Sequence, residues 1–292
     1  MPSRCEVADA DSPTGADDAS VFDATVRDGV CRLACPGFRV LSTGFDGGVR
    51  DANAVYNVTV PEGWDEEGHR DLAAYVDERV AAAGFPERPA APALLTGVDQ
   101  VHARRARLGP VEVVATAGLS NPAALPVDGA VAPGPSPSGA DATGAVAHDA
   151  DATGAVAHDA DTAPCHDGTV NLVVGTARDL APGALANLVA VAAAAKAATL
   201  LSVTGVPDTT SDAVVVASDP AGEPAAFSGA ATAVGGAARA CVRDAVLASL
   251  RSRYGPETDD SIPDSVDDAT YGVTTDERAA VSPLGTGDET EH

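Results

Sequence analysis

The stretch from Thr169 to Ala217 sets the strongest limit on what this chain can fold into. An apolar run, Thr169 to Gly175, is followed by a long alanine-rich segment, Ala184 to Val203, and then by a second apolar run, Ala213 to Ala217. Short, near-continuous apolar runs of this kind read as buried strands. The segment between them is apolar nearly all round, so as a helix it has to be covered. The first half of the chain repeats the order. Asn53 to Val60 reads as a strand, Asp65 to Ala83 as a helix closed by Gly84, and Ala93 to Thr96 as a strand. Strand, helix and strand, twice over, predict an α/β (mixed α+β) fold: one mixed β-sheet packed with helices in a single domain, with two related strand-helix-strand units.

Other elements fill in around these units. Val21 to Arg27 and Val30 to Ala34 flank Asp28-Gly29, a hairpin signal, and Pro36-Gly37 is expected to turn the chain into a third strand, Phe38 to Ser42. That strand runs into the glycine-rich loop Thr43-Gly44-Phe45-Asp46-Gly47-Gly48. Arg104, Arg105 and Arg107 flank a hairpin that leads into the strand Val111 to Ala115, and Ala233 to Tyr254 reads as the last helix. The domain is expected to span 21–254. Residues 1–20 read as a disordered leader and 255–292 as a disordered, solvated acidic tail. Between about 126 and 166 the composition collapses to small and acidic residues, and Ala142 to Asp151 recurs identically at Ala152 to Asp161. This predicts an unstructured loop, in which His148 and His158 occupy equivalent repeat positions and catalyse nothing.

Charge narrows the habitat and the partners. The formal net charge is −25, spread along the chain, and Lys196 is the one lysine. Such a surface repels nucleic acid and anionic membranes, and it stays soluble where molar salt screens it. A salt-rich cytoplasm fits this best, with neither nucleic acid nor membrane as partner and the oligomeric partner left open. No run reads as the roughly 20 apolar residues of a membrane helix. Five scattered cysteines read as reduced thiols, and Cys31 with Cys35 has no second ligand pair to complete a metal site.

The chemistry has to come from polar groups at the ends of apolar strands. Val111 to Ala115 delivers Thr116, Gly118, Ser120 and Asn121 before Pro122 ends the ladder. Gly118-Leu119-Ser120-Asn121-Pro122 lacks the final glycine and the following helix of a nucleophile elbow. Thr43, Gly47 and Gly48 on the glycine loop, with Gly118, Ser120, Thr169 and Asn171, are candidates for substrate binding. Asp46, Asn121, Lys196 and Asp212 are candidates for catalysis, with no metal and no cofactor. A carbonyl polarised by loop N–H groups or Asn121 could be attacked by water, with Asp46 or Asp212 as base. Asp46 could equally be a turn residue and Asp212 a strand entry. Lys196, within an apolar helix, either pairs a buried carboxylate such as Asp212 or donates to a substrate carbonyl.

The ordered blocks LSTGFDGG (41–48), ALLTGVD (93–99), ATAGLSNP (115–122), GTVNLVV (168–174), AAAAKAATL (192–200), SDAVVVA (211–217) and FSGAATAVGGA (227–237) resemble the adenosylcobinamide amidohydrolase family of archaeal corrinoid salvage. The resemblance covers about residues 20–254. It implies hydrolysis of the amide joining aminopropanol to the corrin ring, with adenosylcobyric acid as product and the corrinoid as substrate, not cofactor. Two blocks depart from the family's pattern. Ala193-Ala194-Ala195-Lys196 stands where members often carry Thr-Glu-Ala-Lys, and Pro207-Asp208-Thr209-Thr210 precedes Ser211-Asp212 where Gly-Thr-x-Thr-Asp is usual. The missing glutamate leaves open a second reading, a corrinoid-binding or carrier protein without catalysis.

Overall fold

A computed structural model describes residues 20–61, 71–86, 91–127, 168–258, 260–269 and 271–283. The leader to residue 19 and the repeat-bearing segment 128–167 lie outside them. The elements are β1 (Asp23–Arg27), β2 (Val30–Ser42), β3 (Gly48–Thr59), α1 (Leu72–Ala82), β4 (Ala93–Thr96), β5 (Arg104–Leu108), β6 (Val111–Ala117), β7 (Pro122–Ala124), β8 (Val170–Leu180), α2 (Pro182–Thr204), β9 (Asp208–Thr209), β10 (Ala213–Ala225), α3 (Ala233–Arg253) and β11 (Val273–Thr274).

The main sheet runs β4-β3-β2-β10-β8-β6-β5, with β1 paired to β2. Its strand directions show the duplication that the sequence suggests. β3 and β4, joined through α1, are parallel neighbours, as are β8 and β10, joined through α2. In each case an antiparallel strand, β2 or β6, lies on the far side of the pair, and each is preceded by its own hairpin partner, β1 or β5.

Pro36-Gly37 does not turn the chain into a separate strand. β2 continues through it, and the register with β3 jumps from Ala34↔Ala54 to Phe38↔Ala52. Two extra residues are accommodated as a bulge, with Gly37 at φ +76° and its N–H on Asn53 Oδ1 at 3.0 Å.

The sheet curls on itself. Asn57 on β3 donates to Thr116 on β6 at 3.0 Å, although three strands separate them in the sheet order. The inner face therefore closes around Cys31, Leu33, Val55, Leu94, Val114, Val173 and Val215. The outer face of β6, β8 and β10 packs Val113, Leu172, Val174 and Val216 against Leu185 and Leu188 of α2 and Val242 and Val246 of α3. α1 covers Tyr56 and Val58 with Val76 and Val80.

The expectation that α2 is covered all round is corrected. Ala186, Ala190, Ala194 and Ala198 line an exposed stripe, and small alanines keep that face helical without large apolar exposure. With 23 residues and a mean hydropathy of 1.8, α2 also meets the length and composition of a membrane-crossing helix, contrary to the sequence reading. Its other face packs on the sheet and α3 through Leu185, Leu188, Ala192 and Leu200.

Two arginines of the β5 hairpin hold structure. Arg105 pairs at 3.1 Å with Glu112, which is fully buried on β6, and Arg104 donates to the carbonyls of Val101 and Ala103 at 2.8 Å each. Part of the acidic tail forms a short, exposed strand. β11 pairs with β7, and β7 with β9, in a three-stranded sheet against one end of the main one.

Candidate active site

The end of the main sheet nearest the β11-β7-β9 sheet gathers most of the polar residues that the sequence singles out. Register places them together: Thr116 faces Asn171 and Ala117 faces Val170 across β6 and β8, while Asn171 pairs with Ala213 across β8 and β10. Gly118 N–H then donates to Thr169 C=O at 3.1 Å, and Thr210 N–H donates to Asn121 C=O at 3.1 Å. Gly168 is required where it stands. A Cβ there would lie 2.3 Å from the Asn121 nitrogen and 2.6 Å from the Ser120 nitrogen, both backbone atoms.

An ion pair anchors this end. Lys196, its side chain 5 % exposed, donates to Asp208 at 2.5 Å and to Asp212. Asp212 also accepts from Val170 N–H at 2.7 Å, from Thr209 N–H at 3.1 Å and from the Thr209 hydroxyl. Thr169, fully buried, shares a 2.7 Å hydrogen bond with the Ser211 hydroxyl. Of the two jobs open to Lys196, the geometry shows the pairing with Asp212.

Asp212 is consequently no candidate for the base. Four donors occupy its two oxygens, and its side chain is 10 % exposed, so no acceptor position is left for a water proton. Asp46 fails for the opposite reason. It stands at φ +48° on an exposed turn, 75 % accessible and paired with Arg50 at 3.1 Å. Thr43 on the same loop serves structure, giving its N–H to Val214 C=O at 3.0 Å and taking Val214 N–H on its hydroxyl at 2.9 Å. Gly47 admits no side chain, since a Cβ would lie 2.6 Å from Ser42 C=O, and Gly48 holds φ +102° at the start of β3.

Among the described residues, two asparagines carry polar atoms that meet no partner. Asn171 donates its Nδ2 to Asn57 Oδ1 at 3.0 Å and to Leu95 C=O at 2.9 Å, which leaves its buried Oδ1 without a donor. Asn121 is 2 % exposed, and its Nδ2 has no acceptor. An unmatched buried polar group costs about 1–3 kcal/mol, so each is a position where a ligand or a water is favoured. Ser120 bonds the Tyr254 hydroxyl, which also accepts Leu119 N–H at 2.8 Å. Burial pushes the Tyr254 phenol up, with the Arg253 cation beside it pulling down.

Sequence reasoning missed Asn57, Gln100, Asp208 and Tyr254. A signal existed for Asn57, a lone amide within the apolar run Val55 to Val60, but its partners lie on strands distant in the chain. Among the described residues, no three His, Cys, Asp or Glu side chains form a group that could hold a metal ion.

A curled mixed sheet with hydroxyls, unmatched amides and a lysine–carboxylate couple at one end defines an α/β enzyme domain whose site suits an amide-bearing small molecule. The chain belongs to the adenosylcobinamide amidohydrolase family, whose model matches residues 14–258. It is also similar to the protein named adenosylcobinamide amidohydrolase from Halobacterium salinarum, 53% identical over 261 residues, which cover 89% of this chain and 99% of that protein.

Proposed function

We propose that this protein hydrolyses the amide between aminopropanol and the corrin ring of adenosylcobinamide, yielding adenosylcobyric acid for corrinoid salvage. Family membership and the whole-length likeness to a protein of that name support the reaction. The observation that carries it within the site is the unmatched Nδ2 of buried Asn121. An amide donor with no acceptor suits the oxygen of a substrate carbonyl, and its hydrogen bond strengthens as negative charge develops there during attack by water. Asn171 Oδ1 offers the complementary acceptor, suited to an N–H of the amide-fringed corrinoid.

The corrinoid enters this reading as the substrate, and the proposal assigns the chain no cofactor of its own. The acidic, lysine-poor surface suits a halophilic cytoplasm and favours neither nucleic acid nor membranes as partners. Incubation of the purified chain with adenosylcobinamide in molar potassium chloride tests the proposal. Release of aminopropanol supports it. Stoichiometric binding without release would make the protein a corrinoid carrier instead.

A further inference from the structure

We propose that Asp208 is the general base of this hydrolysis, an assignment that rests on the amidohydrolase reading above. A base at this end of the sheet must be held in place and still present an oxygen to water. Asp212 is held but has no acceptor position left, and Asp46 lies on an exposed turn with its carboxylate already paired to Arg50. Asp208 meets both requirements. Its Oδ1 is fixed by Lys196 at 2.5 Å, its side chain is 49 % exposed, and among the described residues no donor meets its second oxygen. Lys196 is itself pinned by Asp212, so the carboxylate is oriented through a buried cation and does not hang free. Lys196 and Asp212 are also the charged groups that face Asp208, from α2 and from the approach to β10.

Asp208 is also placed opposite the carbonyl-polarising group. β9 pairs antiparallel with β7, Asp208 opposite Ala123, and Thr210 N–H continues that ladder to Asn121 C=O. Asn121 is thus the diagonal neighbour of Asp208, about 7–8 Å away between backbones. The free oxygen of Asp208 takes a proton from a water as its oxygen bonds to the carbonyl carbon. The tetrahedral intermediate then collapses with cleavage of the C–N bond, and Asp208 returns that proton to the departing amine. Water is consumed, and one carboxylic acid and one amine are formed.

The test compares wild type, Asp208→Asn and Asp208→Ala in molar potassium chloride, following aminopropanol release from adenosylcobinamide. Both variants are expected to melt within a few degrees of wild type, to keep KM within about threefold and to lose at least 100-fold in kcat. Added potassium formate is expected to restore at least tenfold to Asp208→Ala and nothing to Asp208→Asn, whose amide still fills the position. A positional role for Asp208 alone would show no formate rescue. An active wild type beside an Asp208→Asn variant with a third or more of its rate would overturn the assignment while leaving the amidohydrolase reading intact. A silent wild type would overturn both.

Discussion

Lys196 and Asp212 form the buried ion pair on which one end of the sheet is built: the ammonium arrives from α2, and the carboxylate that accepts it also takes Val170 N–H at 2.7 Å. The pair joins the helix to the starts of β8 and β10. It accounts for a lysine surviving in a chain that otherwise uses arginine for every positive charge, because a compact ammonium can meet two carboxylates in a small space where a planar guanidinium cannot.

Removing the cation should be costly. Lys196→Met strands a buried carboxylate, for which a loss of about 3 kcal/mol is expected. For a domain of this size that is a fall of about 6–12 °C in melting temperature. Lys196→Arg should lie between Met and wild type. Calorimetry in molar potassium chloride measures both, and a Met variant melting within 1 °C or so of wild type would show that the pair contributes nothing.

Gly168→Ala places a methyl group against the backbone of Ser120 and Asn121, at 2.6 and 2.3 Å, where no side chain can yield. A loss of about 1–3 kcal/mol is expected, with activity falling further than stability because Asn121 is pushed out of position. Melting and turnover measured on one preparation check this. Equal, small losses in both would mean that the loop moves aside freely.

Much of this was legible beforehand, for reasons that particular residues make plain. The order of strands and helices follows from apolar runs and from breakers such as Gly84, which act locally, whereas Pro122, read as ending a ladder, opens β7 instead. Lys196 could be linked to Asp212 because a lysine in an apolar helix demands an acceptor. The curl of the sheet could not be read, since it is expressed in contacts such as Asn57 to Thr116 and Asn171 to Leu95, between strands far apart in the chain. The same limit left Asp46 standing level with Asp212 as a candidate base and left Asp208 unweighed. A carboxylate beside glycines looks the same in sequence whether it faces solvent or a cation. Pro36-Gly37 misled because the same pair serves a turn and a bulge, and only the partner strand decides between them.

Asn121→Ala should lower kcat about 100-fold or more with little change in stability, since its Nδ2 bonds none of the described residues. Asn121→Asp, which replaces the donor by an acceptor, should be at least as poor. Steady-state kinetics decide this, and a wild-type kcat in the alanine variant would remove Asn121 from the mechanism.

Two buried thiols set an alkaline limit on stability. Burial pushes Cys31 up to about 11 and Cys35 up to about 12, with Arg105 and Arg32 respectively opposing. The unfolded chain releases these protons near the ordinary value of 9.0. Their contribution is therefore complete below that pH and is lost as pH rises through 11, by about 2–3 kcal/mol for Cys31. Denaturant midpoints from pH 8 to 11 should fall, and Cys31→Ala should flatten the fall. Identical slopes in the two proteins would rule out the thiol as its source.

The central claim is tested most directly by the reaction itself. The purified chain, in molar potassium chloride with excess adenosylcobinamide, should release one aminopropanol for each adenosylcobyric acid formed, both followed by mass spectrometry over repeated turnovers. Adenosylcobinamide recovered intact, bound or unbound, from a folded preparation would contradict the account.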